Sequence, residues 1–284
     1  LLDGKPRTNK SHLDVSVGRG LKARVALTMG NYSTASSYAV QARDGYALMD
    51  SATYYLGFRI NSESSDEFMW ASQIVEDQTD KWANYGAYVS RNFSSTSIRR
   101  NPRSINSLLY DMISPTDVRK TNYSVTGDHE NLQPGIEIVS SAARFPYTNQ
   151  KLIAVSTADS RVDIPHMRIS EMYLIEAEAE ARLGNDGPAA AALYEMAVAR
   201  DPSYTLSTNT GQDLIDEILI QRRIELWGEG FRFLDLKRLN MDLDRTGSNH
   251  KSSINGNLMQ VPAGDNRWTS LIPQAEMDAN PNMV

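Results

Sequence analysis

The densest concentration of chemistry-bearing side chains runs from Gln221 to Arg238, Gln-Arg-Arg-Ile-Glu-Leu-Trp-Gly-Glu-Gly-Phe-Arg-Phe-Leu-Asp-Leu-Lys-Arg. Within it Arg222, Glu225, Glu229, Arg232, Asp235 and Arg238 recur every three or four positions, the spacing at which side chains on one helical face meet. Two readings are open. Glu225 and Glu229 are a carboxylate pair of the kind used for acid and base work. Alternatively each carboxylate is consumed by an arginine, which holds its pKa down and makes it a poor proton donor near neutral pH. Leu226, Trp227, Phe231, Phe233, Leu234 and Leu236 interleave with the charges and set them at the edge of a core, which favours a structural ion-pair network.

Other reactive groups are sparse. The four histidines, His12, His129, His166 and His250, lie far apart and form no HExxH-type helical pair, so no metal site is expected. The absence of cysteine excludes disulfides, a thiolate nucleophile and Cys-ligated zinc or iron-sulfur centres. Glu63, Asp66, Glu67, Glu76, Asp77 and Asp80 crowd one acidic stretch; a glycan-cleaving enzyme would need two of them facing across an open cleft, and such stretches are mostly solvated surface. No nucleophile, metal cluster or phosphate loop is found, so neither catalysis nor a cofactor is expected. One segment does suit sugar recognition, which pairs an aromatic plate with amide, carboxylate or guanidinium groups. Between Lys81 and Asn92 it offers Trp82, Asn84, Tyr85, Tyr88 and Arg91 as candidate ligand-binding residues. The competing reading makes Trp82, Tyr85 and Tyr88, at i, i+3 and i+6, one buried helical stripe.

The elements that must position these groups are mainly helical. Apolar periodicity predicts helices over about 13–29 and 33–44, joined by a Gly-Asn turn, with Ala23, Ala26, Ala35, Ala39 and Ala42 letting the two axes approach closely. A second hairpin is predicted from Arg168 to Leu183 and from Ala189 to Arg200, with Pro188 in the first turn and Pro202 after the end. Both resemble tetratricopeptide units, yet they are far apart in sequence, unlike adjacent copies in a solenoid. Residues 50–165 read as a loop-rich insertion with a short strand at Glu67 to Ile74, and long insertions of this kind usually carry function. Asp213 is a candidate N-cap before helices at Leu214 to Trp227 and Phe231 to Leu239. The tail, 242–284, is polar and loop-rich. With 29 Lys and Arg against 35 Asp and Glu, the 284-residue chain carries a net charge of −6, the wrong sign for tracking a phosphate backbone, so nucleic acid is not an expected partner. No apolar stretch approaches the roughly 20 residues of a membrane span, and the first ten residues contain no signal core.

Three segments in order resemble the C-terminal signature of the SusD/RagB family. They are Arg168-Ile-Ser-Glu171-Met-Tyr-Leu-Ile-Glu-Ala-Glu178-Ala, then Arg223-Ile-Glu225-Leu-Trp-Gly-Glu229-Gly230-Phe-Arg232-Phe-Leu-Asp235-Leu-Lys-Arg238, then Ile272-Pro273 with Glu276 and Asn280-Pro281. The Gly-Asn-Tyr turn near the start suits the family too. The resemblance implies a SusD-like α/α superhelix of tetratricopeptide-like hairpins with long loop insertions, forming a single domain over 1–284 that is shorter than the family's at both ends. Within it lie the first hairpin (13–44), the insertion (50–165), the second hairpin with the signature helices (166–241) and the terminal loops (242–284). It further implies a cell-surface outer-membrane lipoprotein, anchored through an N-terminal lipidated cysteine outside this chain. Such a protein captures oligosaccharide or another nutrient without chemistry and sits as a lid over a SusC-like TonB-dependent transporter. Gln221 departs from the family's usual Glu before Arg and removes one ion pair. The alternative is a tetratricopeptide-type protein-interaction scaffold, which calls for adjacent repeats and a groove lined by Asn and Lys.

Overall fold

Asp14 starts the first helix, α1 (Val15–Thr28), by accepting the Val17 amide at 2.8 Å, which satisfies one of the donors a helix start leaves unpaired. Gly30, at φ 74°, turns the chain where a side chain would be strained, and Asn31 caps α2 (Tyr32–Ala42). Ala23, Ala26, Ala35, Ala39 and Ala42 are all buried between the two helices and their neighbours, as their spacing predicts. The computed structural model describes residues 4–78, 84–253, 256–280 and 282. It divides into two units, Leu1–Glu229 and Gly230–Val284.

In the first unit the chain continues through α3 (Ser51–Tyr55), β1 (Phe68–Ser72), α4 (Tyr85–Val89), α5 (Thr96–Arg100), α6 (Ser107–Asp111), β2 (Tyr123–Ser124), β3 (Thr148–Asn149) and β4 (Ile164–Arg168). It then forms α7 (Ile169–Arg182), α8 (Asp186–Val198) and α9 (Gly211–Glu225). Thr210, not Asp213, occupies the cap of α9. The two hairpins, separated in sequence by residues 43–168, are neighbours in space: α2 packs on α7, α7 on α8, and both α7 and α8 on α9. Arg24 grips Glu171 across them through Nε at 2.7 Å and Nη2 at 2.6 Å, and Arg43 meets Glu176 at 2.5 Å. Repeats that look isolated in the sequence are thus stacked like adjacent copies, because the insertion loops out and returns.

The return is made by β1 and β4, which pair antiparallel from Phe68 opposite Arg168 to Ser72 opposite Ile164, with irregular register around Trp70. Sequence periodicity starts a helix at Arg168; in the structure that residue ends β4 and the helix begins at Ile169. The pairing is what delivers Arg168 to the interior. Between the two strands, regular elements among the described residues are no longer than five residues, and two-residue β2 pairs with β3 to organise the middle of the insertion.

The second unit holds α10 (Phe231–Arg238), β5 (Leu243–Asp244), β6 (Gln260–Val261) and α11 (Gln274–Ala279). Leu236, Val261 and Trp268 form its core, and α11 has no buried side chain. Among the described residues no helix is long and apolar enough to cross a membrane.

Candidate functional site

Glu225, at the end of α9, is completely buried and meets three arginines. Arg168 Nη1 donates to its Oε1 at 2.8 Å, Arg200 reaches Oε1 at 3.1 Å and Oε2 at 3.2 Å, and Arg119 Nη1 reaches Oε2 at 3.4 Å. Glu229 is held by Arg168 from two sides, Nε at 2.9 Å and Nη2 at 2.7 Å, and by Lys151 Nζ at 2.7 Å. Glu67 joins from the turn before β1, accepting Arg200 Nη2 at 2.7 Å, the Met49 amide at 2.7 Å and Arg168 Nη1. Asp117 closes the set on Arg119 at 2.6 Å. Four cations thus face four carboxylates, and Phe58 and Tyr54 lie under the guanidinium groups of Arg168 and Arg200 at 4.9 and 4.5 Å, a further favourable contact for a buried cation.

Burial alone would raise the Glu225 carboxyl, but Arg200, Arg168 and Arg119 hold it well below the usual range. Glu229 is lowered in the same way, with Arg168 and Lys151 outweighing its desolvation. A carboxylate locked by several cations and shut from water is a poor proton donor, so this pair is built to hold elements together. Its partners come from the insertion, β4 and the α8–α9 connection, and none is a neighbour on the same helical face. Of the six residues expected to form a local network, Asp235 and Arg238 make an i,i+3 pair at 2.8 Å in the second unit. Arg222 is buried and Arg232 half-buried. Gln221 Oε1 accepts Arg119 Nη2 at 2.6 Å, a neutral hydrogen bond at the position where the family usually carries Glu.

The five candidate ligand residues have different environments. Trp82 lies outside the described residues. Asn84 caps α4 by accepting the Ala87 amide at 3.1 Å and donates to Ser160 Oγ at 2.7 Å. Tyr85 turns inward against the cluster of Phe58, Phe68 and Leu152 and donates its hydroxyl to the Gly228 carbonyl at 2.5 Å. Burial and the nearby Glu229 push that hydroxyl up to about 12. Tyr88, one turn on, is 46% exposed. Tyr85 and Tyr88 therefore do not share one buried stripe. Gly86 lies so close to the Ser160 backbone that a Cβ would come within 1.9 Å of its carbonyl oxygen, which seats that face of the helix flush while Tyr88 is left exposed. Arg91 is not beside that ring in solvent: it is 1% exposed, its donors spent on His129, Ile98 and Ala143.

The SusD family model matches residues 26–284. The chain belongs to the SusD family. Among curated proteins no sequence matches it. Among solved structures, a SusD-like carbohydrate binding protein from Bacteroides vulgatus superposes with a TM-score of 0.78 at 24% identity, over 99% of this chain and 61% of that one. A SusD superfamily protein from Bacteroides thetaiotaomicron gives 0.75 at 24%, over 97% and 61%. A laminarin binding SusD-like protein gives 0.60 at 19%, over 81% and 55%. The chain thus spans about three fifths of the length of the first of these relatives, and the shared architecture is the mainly helical SusD-like superhelix.

Two features of this SusD-family chain escape sequence reading. Tyr110, Tyr123, Tyr147 and Trp227 form an edge-to-face series, with ring centroids 5.4 Å apart for Tyr110–Tyr147 and 5.3 Å for Tyr123–Trp227. Tyr147 holds φ 64° within it, a conformation bulky residues seldom adopt. The four rings come from α6, β2, the residue before β3 and the turn after α9, so no single window reveals the series. The second feature is the set of arginines around Ala143, whose only linear signal is a lack of acidic residues over 84–110 and 138–158. Among the described residues no group of three or more His, Asp and Glu side chains is placed to hold a metal ion.

Proposed function

We propose that this SusD-family chain captures oligosaccharide, leaves it chemically intact, and passes it to a SusC-like TonB-dependent transporter, working as part of a lipid-anchored protein on the outside of the outer membrane. Tyr88 carries the reading. Its ring is exposed on a helix whose other residues Gly86, Ala87 and Val89 are buried, and an exposed aromatic face beside polar groups is the pairing that sugar recognition uses. Asn84, whose side-chain amide caps α4 and bonds Ser160, fixes the base of that plate. Trp82, two residues before Asn84, adds a second plate in this proposal. Support also comes from relatives, one described as carbohydrate binding and another as laminarin binding.

The test is titration of a panel of oligosaccharides, laminarin fragments included, with melting measured on the same variants. Tyr88→Ala and Trp82→Ala are each expected to weaken binding by about 1 to 3 kcal/mol, the range for loss of an aromatic stacking partner, with little change in melting. A large melting shift with unchanged affinity would remove the platform. Recovered oligosaccharide is expected intact; release of reducing ends abolished by one carboxylate substitution would replace capture with catalysis. Native pull-down of the full-length protein from source membranes checks the transporter, and recovery of cytosolic proteins alone would refute it.

A further inference from the structure

Arg91 is a buried cation without an anion. Its Nε donates to His129 Nε2 at 3.3 Å, Nη1 to the Ile98 carbonyl at 3.3 Å and Nη2 to the Ala143 carbonyl, and among the described residues no carboxylate pairs with it. His129 cannot serve as a counter-charge. Because its Nε2 accepts from Arg91, the ring proton belongs on Nδ1, which is buried without a partner. Burial and the Arg91 charge push the ring's pKa down to about 4, so it stays neutral. Burial, together with Arg144, pushes Arg91 itself down to about 10, still ionised near neutral pH. An uncompensated charge of this kind is costly to keep.

The positive potential continues outward from Arg91. Ile98, whose carbonyl Arg91 holds, precedes Arg99 and the exposed Arg100 on α5, and Ala143 precedes Arg144. Arg99 Nη1 reaches Ser141 Oγ at 3.3 Å while its Nε has no partner, and its carbonyl accepts the Ala143 amide at 2.6 Å. Arg144, 42% exposed, touches among the described residues one carboxylate, Asp128 at 3.3 Å, which is itself 64% exposed. Glu130, the other nearby acid, is occupied by Ser124 Oγ at 3.0 Å and by Thr126. Residues 84–110 and 138–158 contain no Asp or Glu, yet they carry Arg91, Arg99, Arg100 and Arg144 in a chain of net charge −6. Phe145, partly exposed, adjoins Arg144.

We infer that the corner formed by Arg91, Arg99 and Arg144 is an anion subsite, and that the oligosaccharide taken by this chain bears carboxylate or sulfate groups. The inference rests on the capture function proposed above. An incoming acidic group displaces Asp128 from Arg144, a cheap exchange because an exposed pair is worth little. It gains charge-assisted hydrogen bonds from the guanidinium groups of Arg144 and Arg99. Arg91 does not touch the ligand; it supplies a fixed charge beneath, in a medium that screens poorly. The subsite is joined to the Tyr88 platform through the turn between α4 and α5, where Ser95 Oγ donates to the Ala87 carbonyl at 2.8 Å.

The experiment titrates the purified chain with three oligosaccharides of equal length: an oligogalacturonate, a sulfated galactan fragment and a neutral galactan fragment. The two acidic probes separate carboxylate from sulfate. At least one is expected to bind about tenfold more tightly than the neutral sugar. That preference should collapse between ~0.01 M and ~1 M salt, as the screening length falls from about 30 Å to about 3 Å. Arg144→Gln and Arg99→Gln should remove the preference while keeping the parent's melting temperature and its affinity for the neutral sugar. Equal binding of all three probes, or acidic binding untouched in both variants, overturns the anion subsite and leaves capture standing. Acidic binding lost in the arginine variants but unaffected by Tyr88→Ala keeps the subsite and removes the platform. Binding of none of the three, with the laminarin panel also silent, overturns both.

Discussion

Arg168 and Arg91 are both buried guanidinium groups, and they are solvated in opposite ways. Arg168 touches Glu67, Glu225 and Glu229, inside a cluster where four cations meet four carboxylates. Arg91 touches two carbonyls and a neutral imidazole. The first arrangement is electrically closed, so its field dies within the protein and its work is cohesion. The second is open, and its charge is available to whatever approaches the surface above. Burial by itself therefore does not separate a structural charge from a functional one; the local sum of charges does.

The sharpest way to break this comparison is to remove each guanidinium. Arg168→Ala leaves three buried carboxylates short of a shared cation, Glu229 losing its principal one, and is expected to cost about 3 to 5 kcal/mol in denaturant unfolding. Arg91→Met strands only the Ile98 and Ala143 carbonyls, since Thr148 Oγ1 stays 2.8 Å from His129 Nε2, so its expected cost is about 1 to 3 kcal/mol. If the two variants lose equal stability, the contrast fails.

The next effect is read with pH. The folded pKa of His129, about 4, lies below the ordinary imidazole value of 6.5, so between these values the unfolded chain binds the proton and the folded chain does not. Stability is therefore full above pH 6.5 and is lost as pH falls toward 4, by about 3 kcal/mol in total. His129→Gln should make the slope in that window shallower, leaving the contributions of His166 and His250, whose rings burial also lowers. The lowered carboxyls of Glu225 and Glu229 act in the same direction at lower pH, their contribution being lost as pH falls through their folded values. An unchanged slope in His129→Gln would mean that the imidazole is not held neutral beside Arg91.

Gly86→Ala tests whether the base beneath Tyr88 is rigid. Its Cβ meets the Ser160 carbonyl oxygen, so a loss of about 1 to 3 kcal/mol from overpacking is expected, with weaker oligosaccharide binding among folded molecules. Smallest of all is Asp128→Asn, which removes an exposed partner of Arg144 and should change stability by less than about 0.5 kcal/mol. A large destabilisation there would show that Asp128 neutralises the arginine corner structurally.

The helical hairpins were legible in the sequence because their determinants are local. Alanines at helical spacing around Gly30-Asn31, and Gly184 before Pro188, specify two close-packed pairs without reference to the rest of the chain. The family signature was legible as well, since Arg168, Glu225 and Glu229 stand in order along it. The partnership of those three residues was not, because the i,i+3 spacing around Glu225 suggests neighbours on one face, whereas Arg200, Arg119 and Lys151 arrive from distant segments. The candidate ligand segment divides likewise. Its aromatic and polar composition can be read directly, but Tyr85 and Tyr88 point to opposite environments, and only the packing of Gly86 on Ser160 decides which ring meets water.

By itself, then, the sequence determined the helix type and pairing, the net charge, the absence of thiol chemistry and the family. Each follows from residue identity or from spacing within a few turns. Tertiary structure alone decided that the two hairpins stack, that β4 carries Arg168 inward, and that one buried arginine is neutralised while another is not. Those outcomes depend on which distant side chains share a low-dielectric interior, where pairing energies are set by distance in space and have no counterpart in distance along the chain.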